Sequence, residues 1–221
     1  MSARTRKEKS KNLKRTIETK PIHKTFRVYA EGTSTEPEYI DALKRLPEFA
    51  DVVSIGIVIE QMGVSPMTLV ESACEDKRRD SHEVDFYWCV FDVESPQHHP
   101  YLDRARQMAR DNGVQLAISN PCFELWLILH HCDRTAYFST AEAVRLRSQL
   151  DGSSDKHLDA QLYMGKRADA VRRAKSLRRK HQRDRTLFPD DNPSSGFDLL
   201  IEQIASEVSS AIREASDPIS I

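Results

Sequence analysis

Residues 84–92 read Val-Asp-Phe-Tyr-Trp-Cys-Val-Phe-Asp, an unbroken apolar run after Asp85 that stops on a carboxylate. A strand of that composition has no polar face to turn to water, so it must be covered on both sides. That requirement points to a parallel sheet with helices on both faces, and the neighbouring sequence agrees. Thr25–Ala30 and Val52–Ile59 are β-type runs, and Val114–Ile118 is a fourth. Helical signals lie between them. Thr35 and Glu38 have capping-box spacing, with Pro37 in the first turn and Tyr39, Leu43 and Leu46 as an apolar stripe. Ser65-Pro66 opens a helix to about Asp80, Pro100–Asn112 is stopped by Gly113, and Cys122–His131 follows Ser119-Asn120-Pro121. Strand and helix therefore alternate over the first 130 residues, the pattern of an α/β fold.

After about residue 135 the strand signals stop. Ala141–Leu150, Arg167–Gln182 and Phe197–Ala215 read as helices, and Asp184–Gly196 as a loop. The expected organisation is a flexible basic arm over 1–24, an α/β core over 25–135, and a helical extension over 136–221 that packs on the core. The 221 residues suffice for one sizeable core. Charged residues make up 30%, and no apolar run approaches the roughly 20 residues of a membrane span. The N-terminus lacks the apolar segment of a secretory signal. The four cysteines are scattered without a C-x-x-C pair, which disfavours structural zinc and suggests buried free thiols in a reducing cytoplasm.

Net charge is −1, but the charges are unevenly distributed. Residues 4–24 are rich in Lys and Arg against only Glu8 and Glu18. A second basic block, 166–185, includes Lys166, Arg167, Arg172, Arg173, Arg178 and Arg179 against Asp169 and Asp184. Charge runs are usually solvated faces. Here cations nearly surround the helix, leaving a thin stripe of Ala168, Val171, Ala174 and Leu177, and phosphate neutralisation accounts for so many. Tyr163 and Phe188 flank the block and could stack on bases, but core packing is the plainer role for either. His98-His99 and His130-His131 show no convincing ligand partners and read as structural or surface residues. No Gly-rich phosphate loop is present, so the chain is not itself a P-loop ATPase.

Four acids stand where ligand sites form. Glu31 follows the first strand, and Gly32 permits an unusual turn or close approach by a ligand. A glutamate in that place can ligate a metal, act as a base, or simply be a solvated turn residue. Asp92-Val93-Glu94 ends the apolar strand, and alternation in an extended segment would put both carboxylates on one side. If the two strands are neighbours, about 4.8 Å apart, these acids can share a hard cation. Glu124 interrupts the apolar run Phe123–Leu129, either as a site residue or as an acid favoured by the helix dipole. Glu36 is open between helix dipole and support of the site, and Asn120 reads as a turn residue.

Together, Tyr29-Ala30-Glu31-Gly32-x-x-Thr35-Glu36-Pro37-x-Tyr39, Phe91-Asp92-Val93-Glu94, Ser119-Asn120-Pro121-Cys122-Phe123-Glu124-Leu125-Trp126-Leu127 and Asn192-Pro193-Ser194-Ser195 resemble the RloB-like family over roughly residues 25–210. RloB-like proteins are related to Toprim domains. The resemblance implies a Toprim/Rossmann-like parallel sheet and Mg²⁺-dependent (or Mn²⁺-dependent) phosphodiester chemistry. It implies Glu31 as general acid/base or metal ligand, Asp92 and Glu94 as the counterpart of the Toprim D-x-D pair, and Glu124 as a further acid near the site. Gly32, Glu36 and Asn120 would support them. Glu94 stands where the Toprim pattern has Asp, which affects ligand geometry more than the capacity to bind a cation. The resemblance further implies a nuclease acting on DNA or RNA beside an AAA or ABC-type ATPase in antiphage defence, with a homo-oligomer compatible. The alternative is a non-catalytic nucleic-acid-binding or adaptor subunit of such a complex.

Overall fold

The computed structural model describes residues 23–216, apart from 51, 60–63, 81 and 154–156. All but the last two residues of the expected basic arm lie outside the described residues. Strands β1 (Lys24–Ala30), β2 (Val53–Ile59), β3 (Phe86–Asp92), β4 (Gln115–Asn120) and β5 (Ser194–Ser195) form one sheet in the order β2-β1-β3-β4-β5. The first four are parallel, and β5 runs antiparallel to β4. The helices are α1 (Thr35–Lys44), α2 (Pro47–Ala50), α3 (Pro66–Arg79), α4 (Leu102–Asn112), α5 (Glu124–His131), α6 (Thr140–Asp151), α7 (Gln161–Met164), α8 (Arg167–Asp184) and α9 (Phe197–Ser216).

The apolar run sits at the centre of this sheet, between β1 and β4. Its side chains alternate between two cores. Trp88 and Val90 join Phe26 and Val28 in one, with residues of α1, α5, α8 and α9. Tyr87, Cys89 and Phe91 join Tyr29 in the other, under Leu69, Val70 and Ala73 of α3 and Ala105 and Ala109 of α4. Both faces are thus apolar, as a covered parallel strand requires. The chain leaves β1 for β2 on one side, then crosses back to β3 on the other. Such a reversal opens a crevice at the carboxyl ends of the two central strands, here β1 and β3.

The late helices are continuous with the first core. Phe197 of α9 lies 5.4 Å from Tyr39, 5.2 Å from Phe123 and 5.3 Å from Trp126, centroid to centroid. All four rings are buried. Tyr39 Oη lies 2.9 Å from His130 Nε2, and His130 Nδ1 lies 2.8 Å from Trp126 O. Burial pushes His130 down to about 4, so it is a neutral core residue that accepts from Tyr39 and donates to the backbone.

Several local expectations need correction. Helix α1 starts at Thr35 after Ser34, and the Thr35–Glu38 capping box does not form. Glu38 instead reaches His157 and accepts the N–H of Leu158 at 2.7 Å, tying α1 to the helical extension. A real capping box stands at Ser139 and Glu142, opening α6. The buried stripe of α8 is Ala170, Ala174, Leu177 and His181, with Ala168 exposed. The late region also contributes one short strand, β5, made by Ser194 and Ser195. Other boundaries agree closely: Ser65 caps α3 through Thr68 N–H, and Gly113 ends α4 at φ +63°. Cys74, Cys89 and Cys122 are buried free thiols, and Cys132 is half-buried and free.

Candidate functional site

The β1–β3 crevice is built by register. Ala30 pairs with Val90, so Glu31 leaves β1 beside the end of β3, and Glu31 N–H donates to Val90 O at 3.1 Å. Glu31 Oε2 accepts the Asp92 N–H at 3.3 Å. Its other oxygen, Oε1, lies 3.1 Å from His99 Nε2. One oxygen of Asp92, Oδ1, is buried and has no hydrogen-bond partner.

Glu94 reaches the crevice by a different route from the one its spacing suggests. Its backbone is left-handed, at φ 67°, so strand alternation does not orient it. The turn is fixed by Glu94 N–H donating to Pro121 O at 2.8 Å. Thr140 Oγ1, at the start of α6, donates to Glu94 Oε2 at 2.6 Å and accepts the N–H of Ser95 at 3.1 Å. The helical extension therefore holds one acid of the site.

Glu36 completes the wall. It is only 7% exposed in the first turn of α1. Its carboxylate covers Gly32 so closely that a Cβ there would collide with both oxygens. A side chain at 32 would thus have to push the Glu36 carboxylate aside, at a backbone that shows no positive φ. Glu124, the first residue of α5, faces the same space.

Glu31, Glu36, Asp92, Glu94 and Glu124 together line one cavity of about 340 Å³ that has no Lys or Arg in its wall. Like charges gathered out of water disfavour ionisation. Burial pushes Glu31 up to about 7, with Glu94 adding to the shift. Burial and the nearby Glu124 and Glu31 push Glu36 up to about 7. Asp92 is held well above the ordinary carboxylate range by burial and by the other four acids. Among the described residues, no three His, Cys, Asp or Glu side chains are mutually placed to hold a metal ion. Glu31 and Glu94 are engaged instead by His99 and Thr140. The donor set still fits a hard cation, being all carboxylate oxygen with one buried and unpaired.

A family profile described as RloB-like protein matches residues 26–204. The chain belongs to the RloB-like family. No curated protein and no solved structure matches it. Within this RloB-like chain the quoted motifs divide between site and scaffold. Glu31, Glu36, Asp92, Glu94 and Glu124 line the cavity, with Gly32 beside them. Asn120 does not. Its Nδ2 donates to Pro189 O at 2.7 Å and to Asp191 Oδ1 at 3.0 Å, which ties β4 to the loop after α8. Asn192 clasps the backbone of Phe138 through both ends of its amide.

The basic residues of α8 are also divided. Arg167 binds Glu48 at 2.7 Å, Arg173 donates to Leu129 O at 2.7 Å, and Arg178 binds the buried Asp198 at 2.5 Å. These three stitch α8 to its neighbours. Lys166, Arg172 and Arg179 are exposed, Arg172 paired along the helix with Asp169 and Lys166 3.3 Å from His131 Nδ1. Tyr163 is fully buried, with its hydroxyl on Asp151. Sequence reasoning missed two site residues, His99 and Thr140. Neither lies at a telling distance in sequence from the acid it touches. His99 is placed by a loop whose Val93 O accepts its N–H at 3.0 Å.

Proposed function

We propose that this RloB-like protein is a divalent-cation-dependent nuclease acting on nucleic-acid phosphodiesters, and that it serves as the effector of an ATPase partner in antiphage defence. One observation carries the reading: five carboxylates line one cavity at the β1–β3 crevice, with Asp92 Oδ1 buried and unpaired. Nothing in the wall offsets their charge, whereas a cation would. Asp92, Glu31, Glu94 and Glu124 are the residues that would hold Mg²⁺ or Mn²⁺. When bound, such an ion neutralises phosphate charge and eases deprotonation of water.

The chain's own groups supply the rest. Glu31, raised to about 7, can take or hold a proton at Oε1 or Oε2 near neutral pH, as a general base needs. His99 orients that carboxylate from the loop side. Glu36, also raised to about 7, lies against Gly32 in the same wall. Thr140 fixes Glu94. The outward cations Lys166, Arg172 and Arg179, with the basic arm, would neutralise the nucleic-acid backbone.

A second reading has its own observation. Glu31 and Glu94 are engaged within the protein, and among the described residues no three acids converge for chelation, which favours a non-catalytic nucleic-acid-binding subunit. Incubating the protein with DNA and RNA, with and without Mg²⁺ or Mn²⁺, separates the two. The nuclease reading expects metal-dependent products that disappear in Asp92→Ala. Salt-sensitive binding without any product, or wild-type cleavage by Asp92→Ala, overturns it.

A further inference from the structure

An open groove of about 1060 Å³ lies along the free edge of β4 and shares no residue with the acidic cavity. Strand β5 pairs only with Ser119 and Asn120, and Gly196 N–H donates to Ile118 O at 2.8 Å. In a strand the N–H and C=O of one residue point to one side, and the side alternates along the chain. Because Ile118 faces this edge, Leu116 faces it too. Among the described residues no strand pairs with Leu116 there. The edge therefore presents a donor and an acceptor at Leu116, at the floor of a groove.

The groove has a consistent chemistry. Leu116, Ile118 and Phe188 form apolar walls, joined by Leu187, 77% exposed, and Leu199, 41% exposed. Arg106 and Arg110 of α4 flank one side, Arg178 and Arg185 the other. Arg178 is held by Asp198, and Arg106 pairs with Asp103 at 3.5 Å while lying 4.1 Å over the Phe188 ring. Arg110 and Arg185 make no ion pair among the described residues. The single acid in the lining, Asp191, already accepts from Asn120 and Ser194.

We propose that this edge binds an extended peptide segment of a partner protein, added to the sheet as a strand beside β4. Main-chain bonds at Leu116 would set its register, alternate apolar side chains would cover Leu187 and Leu199, and acidic side chains would meet Arg110 and Arg185. Charge complementarity fixes the choice of an acidic, apolar segment. A second copy of this chain would bring the same arginines against these ones. A nucleic-acid strand would satisfy the arginines but leave the aliphatic wall and strand edge unused. The inference is independent of the nuclease reading, since no acid of the cavity takes part.

Selection of a displayed random nine-residue peptide library against the full chain tests it, followed by titration of the selected synthetic peptides. The expected winners alternate apolar and acidic residues. Their affinity should fall at least about tenfold on Arg110→Glu with Arg185→Glu, while circular dichroism stays unchanged. N-methylation of the bound peptide at one alternating set of amides should abolish binding, and at the other set should not. Four results overturn the proposal: no peptide selected, winners without acidic residues, affinity indifferent to the arginine reversals, or equal tolerance of methylation at both sets. Loss of a single-stranded oligonucleotide's binding, or of a dimer in sedimentation, on the same reversals without any peptide binding would assign the groove to nucleic acid or to self-association instead.

Discussion

Glu31 shows how one side chain changes meaning with its surroundings. In the sequence it is an acid after a strand, as consistent with a solvated turn as with a ligand. In the fold it faces Asp92, Glu36, Glu94 and Glu124 across one cavity and is raised to about 7 from an ordinary 4.5. Because the folded state holds this proton more tightly than the unfolded chain, the associated stability is full below pH 4.5 and is lost as pH rises through 7. In chelator, the melting temperature should therefore fall between pH 5 and 8. Glu31→Gln should remove part of that slope, on the order of 1–3 kcal/mol at pH 8. Parallel melting profiles for variant and wild type would contradict the assignment. Gly32 provides a second residue-scale expectation. Gly32→Ala should cost about 1–3 kcal/mol in urea unfolding by displacing the Glu36 carboxylate, and pairing it with Glu36→Ala should recover most of that loss. If the double variant is as unstable as the sum of its parts, contact with Glu36 is not the reason for glycine.

At the scale of elements, the strands and long helices were legible because their signals are local. The apolar run of β3, the Ser65-Pro66 start and the Gly113 stop each act within a few residues. The crevice was legible only in part. Strand ends marked Glu31 and Asp92, but whether β1 and β3 touch depends on the order of the sheet, which no local pattern encodes. The left-handed turn at Glu94, the clasp by Thr140 and the approach of His99 depend on contacts between residues far apart in sequence, 46 apart for Thr140 and Glu94, or on a loop without regular spacing. Basic composition similarly could not separate Arg178, bound to Asp198, from the exposed Arg179. Thr140→Val tests the link between α6 and the cavity. It should cost about 1 kcal/mol and weaken Mn²⁺ binding through a mobile Glu94, while Thr140→Ser should restore both. Unchanged Mn²⁺ affinity in Thr140→Val would detach α6 from the site.

For the molecule as a whole, the helical segment after 135 is part of what holds the sheet together. Phe197 closes a buried aromatic group with Tyr39, Phe123 and Trp126, residues from both sides of that boundary. Phe197→Ala should cost about 3–5 kcal/mol, measured by urea unfolding, and fluorescence and circular dichroism should report one shared transition. Two separated transitions would mean that the extension folds on its own.

The claim that the acidic cavity holds a catalytic cation is tested most directly by titrating Mn²⁺ into the full chain at pH 8, wild type against Asp92→Asn, followed by calorimetry. The account expects saturable binding by the wild type and its loss, by at least about tenfold in affinity, in an Asp92→Asn protein that melts cooperatively. Equal Mn²⁺ affinity in the two proteins, or no saturable binding in the wild type, would contradict it.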